Sequence, residues 1–71
     1  MDFSEKLVSI RIEKKLLQKD IASAINVSVR QYQRYEKNEQ EPTLGVIIAL
    51  CKYLEISGDW LLGLSDIKER R

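Results

Sequence analysis

A chain of 71 residues has room for one domain, and at this size folding buries only about 60% of the surface the unfolded chain exposes, so the core has to be compact. Apolar residues make up 44% and charged residues 32% of the sequence, a balance that belongs to a folding chain rather than a disordered one. The single Cys51 and the absence of histidine exclude an internal disulfide, a zinc ligand set and a histidine-based catalytic triad, so neither a metal nor a cofactor is expected.

No apolar run approaches the roughly 18 residues that a membrane span needs. The start, Met1-Asp2-Phe3-Ser4-Glu5, lacks the basic opening of a signal peptide, which makes a cytoplasmic protein the expectation. The net charge is only +1, but it is unevenly placed: residues 1–38 hold eight Lys/Arg against five Asp/Glu (+3), and residues 39–71 hold four against six (−2). That asymmetry favours an anionic partner for the N-terminal half without requiring one.

In chain order, Phe3, Leu7 and Ile10 share one narrow stripe at 100° per residue, predicting a helix over about Ser4–Lys14. Val8 and Ile12 form a second apolar stripe away from the first, a candidate surface for a protein partner. Ile21, Ala22 and Ile25 extend a helical period from Gln18 up to Asn26, a residue that tolerates left-handed backbone. Ser28 offers an N-cap for a third helix, with Tyr32 and Tyr35 on its inner face and Asn38 as its stop. Pro42 forbids a continuing helix and Thr43 caps the next, whose expected buried stripe is Leu44, Ile47, Leu50, Cys51 and Leu54. Cys51 is thereby a small core hydrophobe rather than a nucleophile. Ser57 can cap a fifth helix carrying Trp60, Leu61 and Leu62 before Gly63 ends it. Residues 66–71 are expected to be loose or to begin a linker. The class is all-α, a compact five-helix bundle over residues 1–64 with residues 65–71 as its tail.

Gln18 to Lys37 has the length of two helices joined by a tight turn, the DNA-binding helix-turn-helix, whose second helix enters the major groove. With Tyr32 inward, Arg30, Gln33, Arg34 and Lys37 point to the opposite side. Any surface helix also carries long polar residues outward, so this face alone leaves DNA contact and plain solvation both open.

Gln18-Lys-Asp-Ile21-Ala22, Ile25-Asn26-Val27-Ser28 and Tyr32 with Arg34-Tyr35-Glu36 resemble the Cro/CI-type, or XRE-like, repressor family. Pro42-Thr43-Leu44, Ser57 through Gly63, and Phe3, Leu7, Ile10 and Arg11 extend the resemblance over nearly the whole chain, and their order and spacing together are highly specific. The resemblance implies a lambda-repressor-like DNA-binding domain that acts as a repressor, reading a near-palindromic operator as a homodimer. It implies that Val29, Arg30, Gln33 and Arg34 meet base edges, that Gln18 and Lys37 bind phosphate, and that Arg11 and Glu36 form an ion pair between the first and third helices. It implies dimer contacts in the C-terminal third, at Trp60 and Leu61. Departures from the family pattern are Asn26 and Asn38 where Gly is usual, Leu17 where Ser or Thr would cap the second helix, and an acidic loop at Glu39-Gln40-Glu41. The alternative function is a protein-interaction module of the same fold, such as an antitoxin or adaptor. An enzyme is disfavoured because the polar residues assemble no nucleophile and base.

Overall fold

The computed structural model describes residues 2–68. Among the described residues five helices follow one another: α1 Phe3–Glu13, α2 Gln18–Ala24, α3 Val29–Glu36, α4 Leu44–Leu54 and α5 Gly58–Leu61. Side chains cap four of them at the start. Asp2 accepts from the Glu5 amide at 2.9 Å while Glu5 accepts from the Asp2 amide at 3.4 Å, a reciprocal pair at the head of α1. Ser28 accepts from Gln31 (3.0 Å), Thr43 from Val46 (3.2 Å) and Ser57 from Trp60 (3.3 Å). Leu17 cannot cap α2, and the carboxylate of Asp20 reaches back to the Leu17 amide at 3.0 Å instead.

One device ends all five helices. Lys15, Asn26, Asn38, Glu55 and Gly63 each take a positive φ, between 55° and 83°. The next residue's amide then bonds a carbonyl five positions back: Leu16 to Arg11, Val27 to Ala22, Glu39 to Arg34, Ile56 to Cys51 and Leu64 to Asp59. These are Schellman motifs, which satisfy carbonyls the helix end would leave unpaired and turn the chain sharply. Only such abrupt stops let five helices fit in so short a chain.

The core joins Leu7, Ile10, Ile21, Ala22, Ile25, Tyr32, Tyr35, Leu50, Leu54, Ile56 and Leu61, with Phe3, Val46, Ala49 and Trp60 packed around it. Leu44 lies on the expected stripe of α4 but is not buried, for it is 71% exposed. It stands in the first turn of α4, at the open edge of a groove rather than over the core. Leu62 lies beyond the end of α5 and is half exposed. Lys6 is unexpectedly buried: its ammonium donates to the Trp60 carbonyl at 2.6 Å and stands 5.1 Å from the Trp60 ring centre. Part of the segment expected to be loose is tied back. The Ser57 amide donates to the Lys68 carbonyl at 2.9 Å, and the Lys68 ammonium pairs with Glu13 at 2.9 Å. Residues 69–71 lie outside the described residues.

Candidate nucleic-acid interface

The turn at Asn26 and the Ser28 cap place α3 against α2, while Tyr32 and Tyr35 anchor its inner side in the core. With that side fixed, α3 presents Arg30 and Arg34 exposed, Val29 at 40% exposure, and Lys37 at its C-terminal end. Arg30, Gln33, Arg34, Lys37 and Glu39 line a shallow polar cleft of 230 Å³. Three cations and one amide thus gather where one carboxylate, Glu39, is the counterweight.

Behind this face Arg11 and Glu36 stand in a two-pronged ion pair. Arg11 Nε donates to Glu36 Oε2 at 2.6 Å and Nη2 to Oε1 at 3.2 Å, with the Glu36 side chain only 6% exposed. Burial opposes ionisation of Glu36, yet the hydrogen bonds it accepts, led by those from Arg11, outweigh burial and hold its carboxyl below the ordinary value. The hydrogen bond to Glu36 likewise raises the Arg11 guanidinium. Burial, and then the nearby Glu36 carboxylate, pushes the Tyr32 phenol far above its usual value, so it stays neutral. Its Oη has no hydrogen-bond partner among the described residues.

Gln18 and Gln33 are placed differently from what a free contact residue requires. Gln18 Nε2 donates to Glu36 Oε1 at 3.1 Å, and Gln18 Oε1 accepts from Gln33 Nε2 at 3.1 Å. A continuous set of hydrogen bonds therefore runs from α1 through Glu36 and α2 to the outer side of α3. The sequence signal for it is slight: Gln33 and Glu36 are three residues apart, hence neighbours on one helix face, and Gln18 begins the adjoining helix.

The two residues expected at a dimer contact, Trp60 and Leu61, differ in burial. Leu61 is 1% exposed and fills the chain's own core because it lies on the inner face of α5. Trp60 is half-buried beneath the Lys6 ammonium. The exposed apolar surface of this third includes a groove of 580 Å³ between α4 and the segment after α5, lined by Leu44, Ile48, Leu62 and Ile67 with Lys52 and Asp59 among its walls. On α1, Ile12 is 63% exposed and Val8 half-buried. Among the described residues no helix is long and apolar enough to cross a membrane.

The family model described as helix-turn-helix matches residues 7–61. Two Bacillus subtilis relatives, the uncharacterized HTH-type transcriptional regulators YobD and YqaE, are 28% and 35% identical over 64 and 60 residues, covering 90% and 84% of this chain and 57% and 52% of theirs. The cryptic phage CTXphi transcriptional repressor RstR of Vibrio cholerae is 37% identical over 51 residues, 72% of this chain and 46% of its own. The chain thus spans about half the length of the curated relatives it matches. Among solved structures, the P22 c2 repressor in complex with a synthetic operator superposes with a TM-score of 0.85 at 28% identity, covering 92% of this chain and 98% of that one. A transcriptional regulator from Listeria innocua follows at 0.83 and 31% identity, covering 92% and 61%. The order of five helices, the turn between α2 and α3 and the family match over residues 7–61 agree: this chain belongs to the helix-turn-helix family of XRE, or Cro/CI, type.

Proposed function

We propose that this chain is a sequence-specific, double-stranded-DNA-binding repressor of transcription, acting in the cytoplasm, with α3 laid in the major groove. The observation that carries this reading is the outer face of α3, where Arg30 and Arg34 stand exposed beside Val29 on a helix whose inner side is locked by two buried tyrosines. Arginine pairs in two-pronged fashion with guanine O6 and N7, and valine meets a thymine methyl. Lys37, at the helix end, is placed to hold phosphate, and Gln18 retains one amide N–H for the same purpose. The likeness to a repressor held on its operator supports the same orientation.

Binding curves at fixed salt on the selected duplex and on base-substituted duplexes test this. Arg30→Ala or Arg34→Ala is expected to lose about 1–3 kcal/mol on the preferred site and to relax preference for one guanine. Lys37→Ala should weaken all duplexes alike, because phosphate contacts position the protein without reading sequence. Full discrimination in both arginine variants would sink the reading. The protein-interaction alternative, favoured by the exposed Ile12, would then take first place.

The repressor acts as a homodimer in this proposal, joined through the groove that holds Leu44, Ile48 and Leu62. Lys52 and Asp59, opposite charges in one groove, support a second copy as its occupant, because a two-fold axis allows the lysine of one copy to face the aspartate of the other twice over. Two half-sites about 34–36 Å apart then match the two copies.

A further inference from the structure

We infer that Gln33 reads adenine, and that Glu36 and Gln18 hold its amide in the polarity adenine requires. The inference rests on the DNA-binding reading and assigns one base contact within it. The polarity originates at Glu36, whose ionised carboxylate can only accept hydrogen bonds. Its Oε1 accepts from Arg11 Nη2 at 3.2 Å and from Gln18 Nε2 at 3.1 Å. Gln18 must therefore turn its NH2 group toward Glu36, and its carbonyl oxygen faces α3. There it accepts from Gln33 Nε2 at 3.1 Å, so Gln33 in turn must direct its NH2 group inward. Each amide could flip at little cost alone, but the acceptor-only carboxylate dictates the direction of both.

One N–H and the carbonyl Oε1 of Gln33 remain without a partner among the described residues. They belong to a side chain that lines the same cleft as Arg30, Arg34 and Lys37, all three of which can only donate. Gln33 thus supplies the acceptor of the α3 face. In the major groove adenine presents an N6 donor beside an N7 acceptor, the complement of a glutamine carbonyl and its remaining N–H, whereas guanine presents two acceptors and would face the carbonyl with O6. The lock favours adenine and penalises guanine at the position Gln33 reaches.

The test begins with selection of bound duplexes from a random pool by the wild-type chain, followed by affinities on duplexes substituted at each position. Helicity and melting of each variant establish that it is folded. Gln33→Met should abolish an adenine preference of roughly 5- to 100-fold at one position per half-site and leave the others intact. Gln18→Met keeps Gln33 but frees its amide, so adenine-over-guanine discrimination at that same position should fall severalfold, beyond any uniform loss of affinity. Unchanged base preferences in Gln33→Met would overturn the assignment of Gln33 as a reader. Loss of the adenine preference in Gln33→Met but its full retention in Gln18→Met would overturn the relay. Failure of the wild type to enrich any sequence would overturn the DNA-binding reading itself, at the first step and distinguishably from the other two.

Discussion

Glu36 serves two ends through one carboxylate, pairing with Arg11 on α1 and accepting from Gln18 on α2. Since its side chain is 6% exposed and that of Arg11 21%, deleting it strands a guanidinium that keeps some contact with water. Glu36→Ala is therefore expected to cost about 3 kcal/mol in urea denaturation, the lower end for a buried pair, and a loss below about 1 kcal/mol would mark the pair as an ordinary surface contact. The pH dependence follows from the lowered carboxyl of the folded state. The unfolded chain takes up the proton first, so this contribution is complete above the ordinary carboxylate range and disappears as pH falls through the lowered folded value. Glu36→Gln should flatten that acid limb when stability is followed from neutral pH down to about pH 3.

The five helix stops show what could be read from sequence and what could not. Asn26, Asn38 and Gly63 advertise left-handed backbone because asparagine and glycine adopt it readily, and all three have positive φ. Lys15 and Glu55 adopt the same conformation with side chains that carry no such signal. Lys15→Gly and Glu55→Gly are each expected to stabilise the fold by about 0.5–1 kcal/mol, the relief of a strained Cβ partly offset by the greater freedom of glycine in the unfolded chain. Thermal melts compared with Asn26→Gly, which should gain less, check this; a destabilised Glu55→Gly would mean that its side chain contributes contacts of its own. The caps at Ser28, Thr43 and Ser57 were legible as short polar residues ahead of apolar periods, as was the inner face of α3. Periodicity marks the apolar face but not how far along it a neighbour extends, which is why Leu44 sits on the expected stripe and yet lies open. The same holds for the site: the outer face of α3 is legible in the sequence, but the inward commitment of the Gln33 amide depends on where α2 brings Gln18.

The basic face of α3 and the apolar groove beside α4 are separate surfaces, to which the proposal assigns reading and pairing respectively. Ile48, 46% exposed and lining that groove, is the residue through which to separate them. Ile48→Glu should leave binding to a single half-site unchanged while removing cooperative occupancy of two, as followed by footprinting and by sedimentation on a two-half-site duplex. Cooperative binding unaffected by this change would exclude the groove as the pairing surface. The clasp between Lys6 and Trp60 has a consequence of another kind. It joins residues 54 positions apart, whereas α2 and α3 meet through a turn of a few residues. Loop-closure entropy rises with the length of chain enclosed, so the helix pair that carries the interface can form early and the clasp closes around it late. Its strength then bears mainly on how slowly the native chain opens rather than on how quickly it folds, and the first breach on the way out lies at the α1–α5 seam.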